Sequence, residues 1–523
     1  MIKRILRKSI KIVATFLFFF SIFLALVLKL STDWANTNYH YTSFDEILYT
    51  LGTSVTAASN DVIINFILAN ILPPLVIVIF LLIAYLFIKY FLRNCSILLN
   101  VELFKRKFTL KINRSILIKI IAIFIPLAGL AYSISYAMDG LYVKDYIKSN
   151  METSSFFEKE YVNPKKVNLK FPEKKRNLIY IFLESMEATY TDKEHGGAFD
   201  VNYIPELTDL AENNINFSPN NNVGGGYMFT GTTWTMGGLV AETAGIPIKN
   251  VFGANDERSY ESGLVNGAWS LGDILAKEGY HQSIMVGSDL NFGGRKAYFS
   301  GHGNFDTYDY YTAIEDGVIP EDYYVWWGLE DDKLFDWAKD EILKIADEDE
   351  PFNFMMLTVD THASEGYTSD FCSNEYDDPY MNSIACSSMQ LAEFVEWIQE
   401  QDFYENTTIV LTGDHVSMNN YSFNDIPDDY ERGVYNVYIN SAIDTDNNKN
   451  REFSTFDYYP TTLASLGVKI KGNRLGLGTN LFSNKETLSE EYGNYYINEE
   501  LKKSSSYYDN CINFNQCKSS REN

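Results

Sequence analysis

Three apolar runs in this chain stop on side chains that bind cations or move protons. "NLIYIFLES" closes on Glu184, "FNFMMLTVDTH" on Asp360 and His362, and "TTIVLTGDH" on Asp414 and His415. A single acid after a strand ordinarily caps a helix, and a single histidine ordinarily sits in a loop. An adjacent carboxylate and imidazole after one strand, however, offer a metal two ligands from one turn. Two of the chain's six histidines finish such runs.

A fourth stretch, "GTTWTMGGLVAETAGIP" from Gly231 to Pro247, carries four threonines. A helix beginning near Met236 would aim its unpaired N–H groups and positive end at whatever sits beside Thr235, and phosphate is the natural guest there. A threonine hydroxyl is a weak nucleophile until a divalent cation lowers its pKa. The plainer reading makes Thr235 an ordinary N-cap.

These groups are scattered from Glu184 to His415, so a fold has to gather them. The runs that precede them are continuously apolar and bounded by polar residues, as suits strands buried on both faces of a parallel sheet. "HQSIMVGS" from His281 and "GVYNVYIN" from Gly433 read the same way, and helical patterns over Leu271–Glu278, Asp332–Ala346 and Ser388–Gln399 lie between the strands. Such alternation argues for an α/β domain with a mostly parallel sheet. In such sheets ligands bind in the crevice at the carboxyl ends of the strands, which is where Glu184, Asp360, His362, Asp414 and His415 fall.

Upstream, apolar runs at Ile10–Leu30, Ile71–Leu92 and Ile116–Ala137 are each close to the ~20 residues a helix needs to cross hydrocarbon. A cleavable signal peptide suits the first run poorly, because it is long and two more follow. Lys3, Arg4, Arg7, Lys8 and Lys11 precede the first run, and Arg93, Lys105, Arg106, Lys107, Lys111 and Arg114 separate the second from the third, whereas Ser31–Asn70 holds no Lys or Arg. The positive-inside rule then places the N-terminus in the cytoplasm and everything after about residue 140 outside. "FDEILYTLGTS" from Phe44 is expected to lie at the outer membrane surface as a short amphipathic piece, unless it adds a further span.

Charge divides the chain the same way. Residues 1–140 carry 14 Lys/Arg and 6 Asp/Glu, against 29 and 63 in the remainder. So acidic a domain excludes general nucleic-acid binding, and an anionic substrate must be held by a few focused cations. Cys372, Cys386, Cys511 and Cys517 allow three pairings, of which the two local ones are simplest; unbonded thiols are the other reading. Cys95 falls near the cytoplasmic end of the second run. No CxxC spacing suggests thiolate zinc. The expected organisation is a transmembrane anchor over 1–140, a linker over 141–175, a catalytic domain over 176–484 and a polar tail over 485–523. The 37 Tyr and 7 Trp, including "YYVWWGLEDD" from Tyr323, offer flat surfaces for sugar rings or simply fill core and surface.

"NLIYIFLESMEATY", "TTWTMGGLVAETAGIP", "TVDTHASEG", "LTGDH" and "STFDYYPTTLASLG" occur in the order found in membrane-anchored phosphoglycerol transferases of the alkaline phosphatase/sulfatase superfamily. The resemblance is to the phosphoglycerol transferase I branch and, more distantly, to the lipoteichoic acid synthases. It implies metal ligation by Glu184, Thr235, Asp414 and His415, with Thr235 also the nucleophile, His362 contacting the substrate phosphate or leaving group, and Arg295 in "NFGGRKAYF" holding phosphoryl oxygens. It implies one divalent cation, with Mn²⁺ expected and Mg²⁺ or Zn²⁺ as alternatives, a phosphatidylglycerol donor, a periplasmic or surface glycan acceptor, and residence in the bacterial inner membrane with the catalytic domain outside. Trp234 replaces the Lys that teichoic acid synthases carry before the nucleophile, and Gly293 replaces an aromatic two residues before the Arg. Both departures favour the glucan-modifying branch. No Cys or Ser stands at the nucleophile position to become formylglycine, which disfavours sulfatase chemistry. Phosphoethanolamine transfer, plain phosphodiester hydrolysis and non-catalytic glycan binding are the rival readings.

Overall fold

A computed structural model describes residues 2–38, 44–52, 60–91, 97–103, 106–112, 114–249 and 264–517, apart from positions 364, 420, 425 and 428. Leu92, Arg93, Cys95 and Lys105 lie outside the described residues. The chain divides into two bodies, one of residues 1–37 and 58–145, the other of 38–57 and 146–523.

The first body holds three long helices: α1 (Ile2–Asn38), then, after the short helix α2 (Phe44–Gly52) that belongs to the other body, α3 (Leu72–Phe91) and α4 (Arg114–Gly140). Two stretches, Arg4–Thr37 and Ile63–Phe87, are long and apolar enough to cross a bilayer. The second begins before the apolar run at Ile71 because a helix over Asn60–Phe66 and a π turn over Ile67–Ile71 lead into α3. The third run lies in α4, whose 27 residues include Pro126. Phe80 and Ile83 of α3 are 70% and 60% exposed, an apolar surface that suits lipid rather than water. Tyr136 of α4 donates to Asp33 of α1 at 2.6 Å, a polar tie between apolar helices. The basic stretch between α3 and α4 forms an antiparallel hairpin, Ile97–Leu103 with Arg106–Ile112.

The second body is built on a seven-stranded sheet: β1 (Asn177–Leu183), β2 (Gly225–Gly226), β3 (His281–Val286), β4 (Asp306–Tyr308), β5 (Phe352–Leu357), β6 (Thr407–Gly413) and β7 (Val434–Ile439). Their order is β2-β7-β6-β1-β5-β3-β4. The neighbours from β6 to β4 are parallel, whereas β7 runs antiparallel to β6 and β2. The sheet is therefore mixed, and the cause is local. Parallel neighbours need a long crossover, usually a helix, and between β6 and β7 the described chain supplies only a 3₁₀ turn at Tyr421–Phe423.

Helices cover both faces: α5 (Thr235–Ala244) and α6 (Leu271–Lys277) on one, α8 (Asp331–Ala346) and α9 (Pro379–Gln399) on the other, with α7 (Arg295–Gly301) between β3 and β4 in sequence. Strand β1 shows why its run is apolar throughout. Leu178, Tyr180 and Phe182 pack in the core that holds Leu239, Val240 and Leu271, while Ile179, Ile181 and Leu183 pack in the core that holds Ala338, Ile342 and Phe394. Helix α9 starts nine residues before the expected Ser388, because Asp378 caps it by accepting from the Tyr380 N–H at 3.0 Å and Pro379 opens its first turn.

Over its described residues, 485–517, the polar stretch after 484 is packed rather than appended. Leu488, Ile497, Leu501, Tyr508 and Ile512 lie in the same core as α5 and α6, and Tyr508 donates to the Pro247 carbonyl at 2.7 Å. Phe156 and Phe157, in the expected linker, join that core too. Cys372 is bonded to Cys386 and Cys511 to Cys517, the two local pairs.

Candidate active site

Strands β6, β1 and β5 are adjacent and parallel, so their carboxyl ends open side by side. Leu183 of β1 is level with Gly413 of β6, which puts Glu184 and Asp414 next to each other one residue beyond the sheet. Glu184, Asp414 and His415 are buried, and their ligating atoms all lie within 4.8 Å of one another. His415 Nε2 is 3.5 Å from Glu184 Oε1 and 3.4 Å from Asp414 Oδ2.

Thr235 is the first residue of α5, one position earlier than the spacing suggested, and Trp234 precedes it as N-cap in extended conformation without a side-chain capping bond. The capping side chain thus satisfies none of the orphan donors of the first turn, and they and the positive helix end remain for a ligand. The Thr235 hydroxyl lies 3.4 Å from Glu184 Oε2 and 3.5 Å from His415 Nε2. The structure thus brings together all four residues read as metal ligands.

Hydrogen bonds fix each of them. Asp414 Oδ1 accepts from the backbone N–H groups of Ser185 and His415, both at 2.8 Å. Ser185 donates its hydroxyl to Glu184 Oε1 at 2.8 Å, and Thr358 accepts from the Glu184 N–H at 3.0 Å. Ser185 has φ 54°, a left-handed conformation uncommon for a residue with a side chain. Sequence reasoning missed both supports, since a serine after an acid carries no spacing signal. His415 donates Nδ1–H to the Val416 carbonyl at 2.8 Å, which leaves the Nε2 lone pair facing the carboxylates.

Those atoms fit a divalent cation. Asp414 Oδ2 is buried with no hydrogen-bond partner among the described residues, and the His415 lone pair points at oxygens rather than donors. Burial, then the Glu184 charge, pushes the Asp414 carboxyl well above the ordinary aspartate range. Burial pushes Glu184 up as well, but His415, His362 and the Ser185 hydroxyl outweigh it and leave that carboxyl below its ordinary range. Two carboxylates, an imidazole and a hydroxyl form a hard to borderline donor set.

His362 and Arg295 lie near enough for their fields to act with that of Glu184. His362 donates Nδ1–H to the Ala363 carbonyl at 2.7 Å and packs in a tilted arrangement against Trp327, with centroids 4.6 Å apart. Arg295 begins α7 after two left-handed glycines, Gly293 and Gly294. Its Nε donates to the Phe292 carbonyl at 3.0 Å, and its Nη2 to Ser288 Oγ at 3.1 Å and the Asp289 carbonyl at 2.7 Å. Nη1 has no hydrogen-bond partner among the described residues. Asp360, by contrast, turns away from the triad: its Oδ2 accepts from the Asp331 N–H at 3.2 Å, and Asp331 accepts in return from Val359 and Asp360.

The family described as Sulfatase matches residues 176–468. Phosphoglycerol transferase I of Salmonella choleraesuis (strain SC-B67) is 30% identical over 359 residues, covering 67% of this chain and 44% of that protein. The chain thus spans less than half the length of the curated relative it matches. Among solved structures, an alkaline phosphatase superfamily protein from Vibrio parahaemolyticus aligns at 20% identity with TM-score 0.46, covering 63% of this chain and 76% of that one. The lipoteichoic acid synthase LtaP from Listeria monocytogenes aligns at 18% identity with TM-score 0.46, covering 61% and 79%. With its family match running from β1 past β7 and across the strand ends that carry Glu184, Asp414 and His415, the chain belongs to the sulfatase family.

Proposed function

We propose that this protein is a metal-dependent phosphotransferase that moves a phosphoglycerol group from phosphatidylglycerol to a cell-envelope glycan through a threonine-linked intermediate. One observation carries the reading: the Thr235 hydroxyl, at a helix N-terminus whose capping side chain makes no bond, sits 3.4 Å from Glu184 and 3.5 Å from His415.

A divalent cation held by Glu184, Asp414, His415 and Thr235 would lower the pKa of the threonine hydroxyl and neutralise phosphoryl charge. Mn²⁺ is the expected ion, with Mg²⁺ or Zn²⁺ as alternatives. Thr235 Oγ1, its proton released to solvent, attacks the donor phosphorus, the bond from phosphorus to the diacylglycerol oxygen breaks, and that oxygen takes a proton. His362, as the imidazolium, supplies it from Nε2, its Nδ1–H being committed to the Ala363 carbonyl. An acceptor hydroxyl then attacks the glycerophosphoryl-threonine, its proton returns to His362, and Thr235 Oγ1 departs. Arg295 Nη1 and the first N–H groups of α5 hold the phosphoryl oxygens.

The apolar helices give the reaction its place. Anchoring in the inner membrane, with the second body on the outer side, raises the effective concentration of a lipid donor. The related phosphoglycerol transferase I supports glycerol phosphate as the group moved. Phosphoethanolamine transfer and simple hydrolysis use the same residues, and labelled lipids separate them by which head group moves and whether free glycerol phosphate accumulates. The deciding experiment exposes the protein to phosphatidylglycerol and looks by mass spectrometry for a glycerol-phosphate adduct on the Thr235 peptide. Thr235→Ala should lose both adduct and turnover while binding metal; turnover retained by that variant refutes the nucleophile assignment.

A further inference from the structure

Helix α2 lies in sequence between two apolar helices yet packs in the second body, and each of its buried polar side chains reaches a different loop of the site. Glu46 and Tyr49 are 6% and 3% exposed. Glu46 Oε2 accepts from the Thr233 hydroxyl at 3.4 Å, two residues before Thr235. The Tyr49 ring packs on that of Trp234, the N-cap of α5, with centroids 5.3 Å apart. The Tyr49 hydroxyl donates to the carbonyl of Gly293, in the left-handed turn that delivers Arg295. Phe44 packs edge-on against Tyr146 at 5.1 Å and fixes the start of the helix.

We propose that α2 is a clamp for the active site, with Glu46 and Tyr49 as positioning residues: one side chain holds the nucleophile turn, the other joins that turn to the Arg295 turn. The turn at Gly293 needs such a hold. Both its glycines occupy left-handed conformations, and a β-carbon at Gly293 would meet nothing within 4 Å among the described residues. A residue two positions from Arg295 that drifts carries the guanidinium with it, and a small misplacement of a charge clamp costs far more rate than its hydrogen bond is worth. The clamp requires chain from the membrane-anchor region, so the geometry of the site depends on a segment outside the family match at 176–468.

This inference rests on the phosphotransferase reading for its turnover arm, and a phosphate-binding arm keeps the two separable. The test uses the full chain in lipid nanodiscs with Mn²⁺, comparing Tyr49→Phe, Glu46→Ala and Glu46→Gln with wild type. Measurements are inorganic phosphate affinity by calorimetry, KM and kcat for phosphatidylglycerol, and the thermal unfolding midpoint. Tyr49→Phe keeps the Trp234 packing but loses the bond to Gly293, and should weaken phosphate binding and raise KM about fivefold with kcat within about twofold. Glu46→Ala should lower kcat about tenfold, and Glu46→Gln, which can still accept from Thr233, should restore most of it. Unfolding midpoints and Mn²⁺ affinity should hold. Wild-type phosphate affinity and turnover in both Tyr49→Phe and Glu46→Ala overturn the proposal. So does a fall in unfolding midpoint that tracks every loss, with Glu46→Gln no better than Glu46→Ala. If no variant or wild type turns over lipid while phosphate binding still weakens in Tyr49→Phe, the donor assignment fails and the clamp stands. Absence of phosphate binding by wild type overturns both.

Discussion

Gly238, in the first turn of α5, lies so close to Asp414 that a β-carbon built on it would sit 1.9 Å from the Asp414 carbonyl oxygen. This contact seats α5, with Thr235 at its start, directly on the strand end that carries Asp414 and His415. Only hydrogen fits between the two backbones. Gly413 shows the same demand on the other side, where a β-carbon would come 1.8 Å from the Met186 carbonyl. Gly238→Ala should therefore push α5 away from β6, cost about 1–3 kcal/mol, and weaken metal binding and turnover together. Thermal unfolding and a Mn²⁺ titration of the purified variant check this; an alanine variant with wild-type metal affinity contradicts the close seating.

Asp414 offers a cleaner probe of the cation. One carboxylate oxygen accepts two backbone N–H groups and the other has no hydrogen-bond partner among the described residues. Asp414→Asn can keep the first role and loses the second. Metal affinity should drop by more than the about 10–100-fold that losing an outer-shell partner costs. The metal-free variant should unfold no earlier than metal-free wild type, because a buried carboxylate has been removed. Adding Mn²⁺ should raise the unfolding midpoint of wild type and leave that of the variant in place.

Arg295 is held by three hydrogen bonds to its own loop, with Nη1 left over. A lysine has no fork to share between the loop and a substrate. Arg295→Lys should raise KM for the phosphodiester about tenfold or more, with Mn²⁺ affinity unchanged. Steady-state kinetics on the lipid donor, paired with a metal titration, separate these two quantities.

Glu242, inside α5, makes a prediction about pH. It is fully buried and accepts from Tyr180 at 2.9 Å and from Thr412, and burial pushes its carboxyl well above the ordinary glutamate range. The folded protein keeps a proton there that the unfolded chain releases above about pH 4.3. Unfolded chain then binds fewer protons than folded, so this group's contribution to stability falls as pH rises from about 4.3 toward the folded pKa, by at most about 1.4 kcal/mol per pH unit. Glu242→Gln should flatten the decline of the unfolding midpoint as pH rises above about 5, by at most one proton. An unchanged slope would show that Glu242 is ionised in the fold.

The sheet was readable from sequence because burial on both faces leaves an unbroken apolar run, and β1, β3, β5, β6 and β7 each contain one. Their polar ends, Glu184, His362, Asp414 and His415, were readable for the same reason: a charge is excluded from the sheet and appears at its edge. The short β2 and β4 carried no such signal, and the direction of β7 depended on a connection too short on helix for a parallel return. The stretch after 484 reads as polar because the residues between its buried side chains face water.

Residue types and their order by themselves pointed to the class of chemistry, since a threonine before a helix, with two acids and an imidazole after strands, is a donor set that suits a cation and a phosphate. Tertiary structure alone decided which groups share that site and which brace it. Asp360 ends the same kind of run as Asp414 but bonds to Asp331 instead, while Ser185, Glu46 and Tyr49 reach the site's loops from positions with no spacing signal. The physical reason is that side-chain type is local, whereas a meeting of groups depends on strand order, on backbone approaches that only glycine allows, and on bonds between segments far apart in the chain.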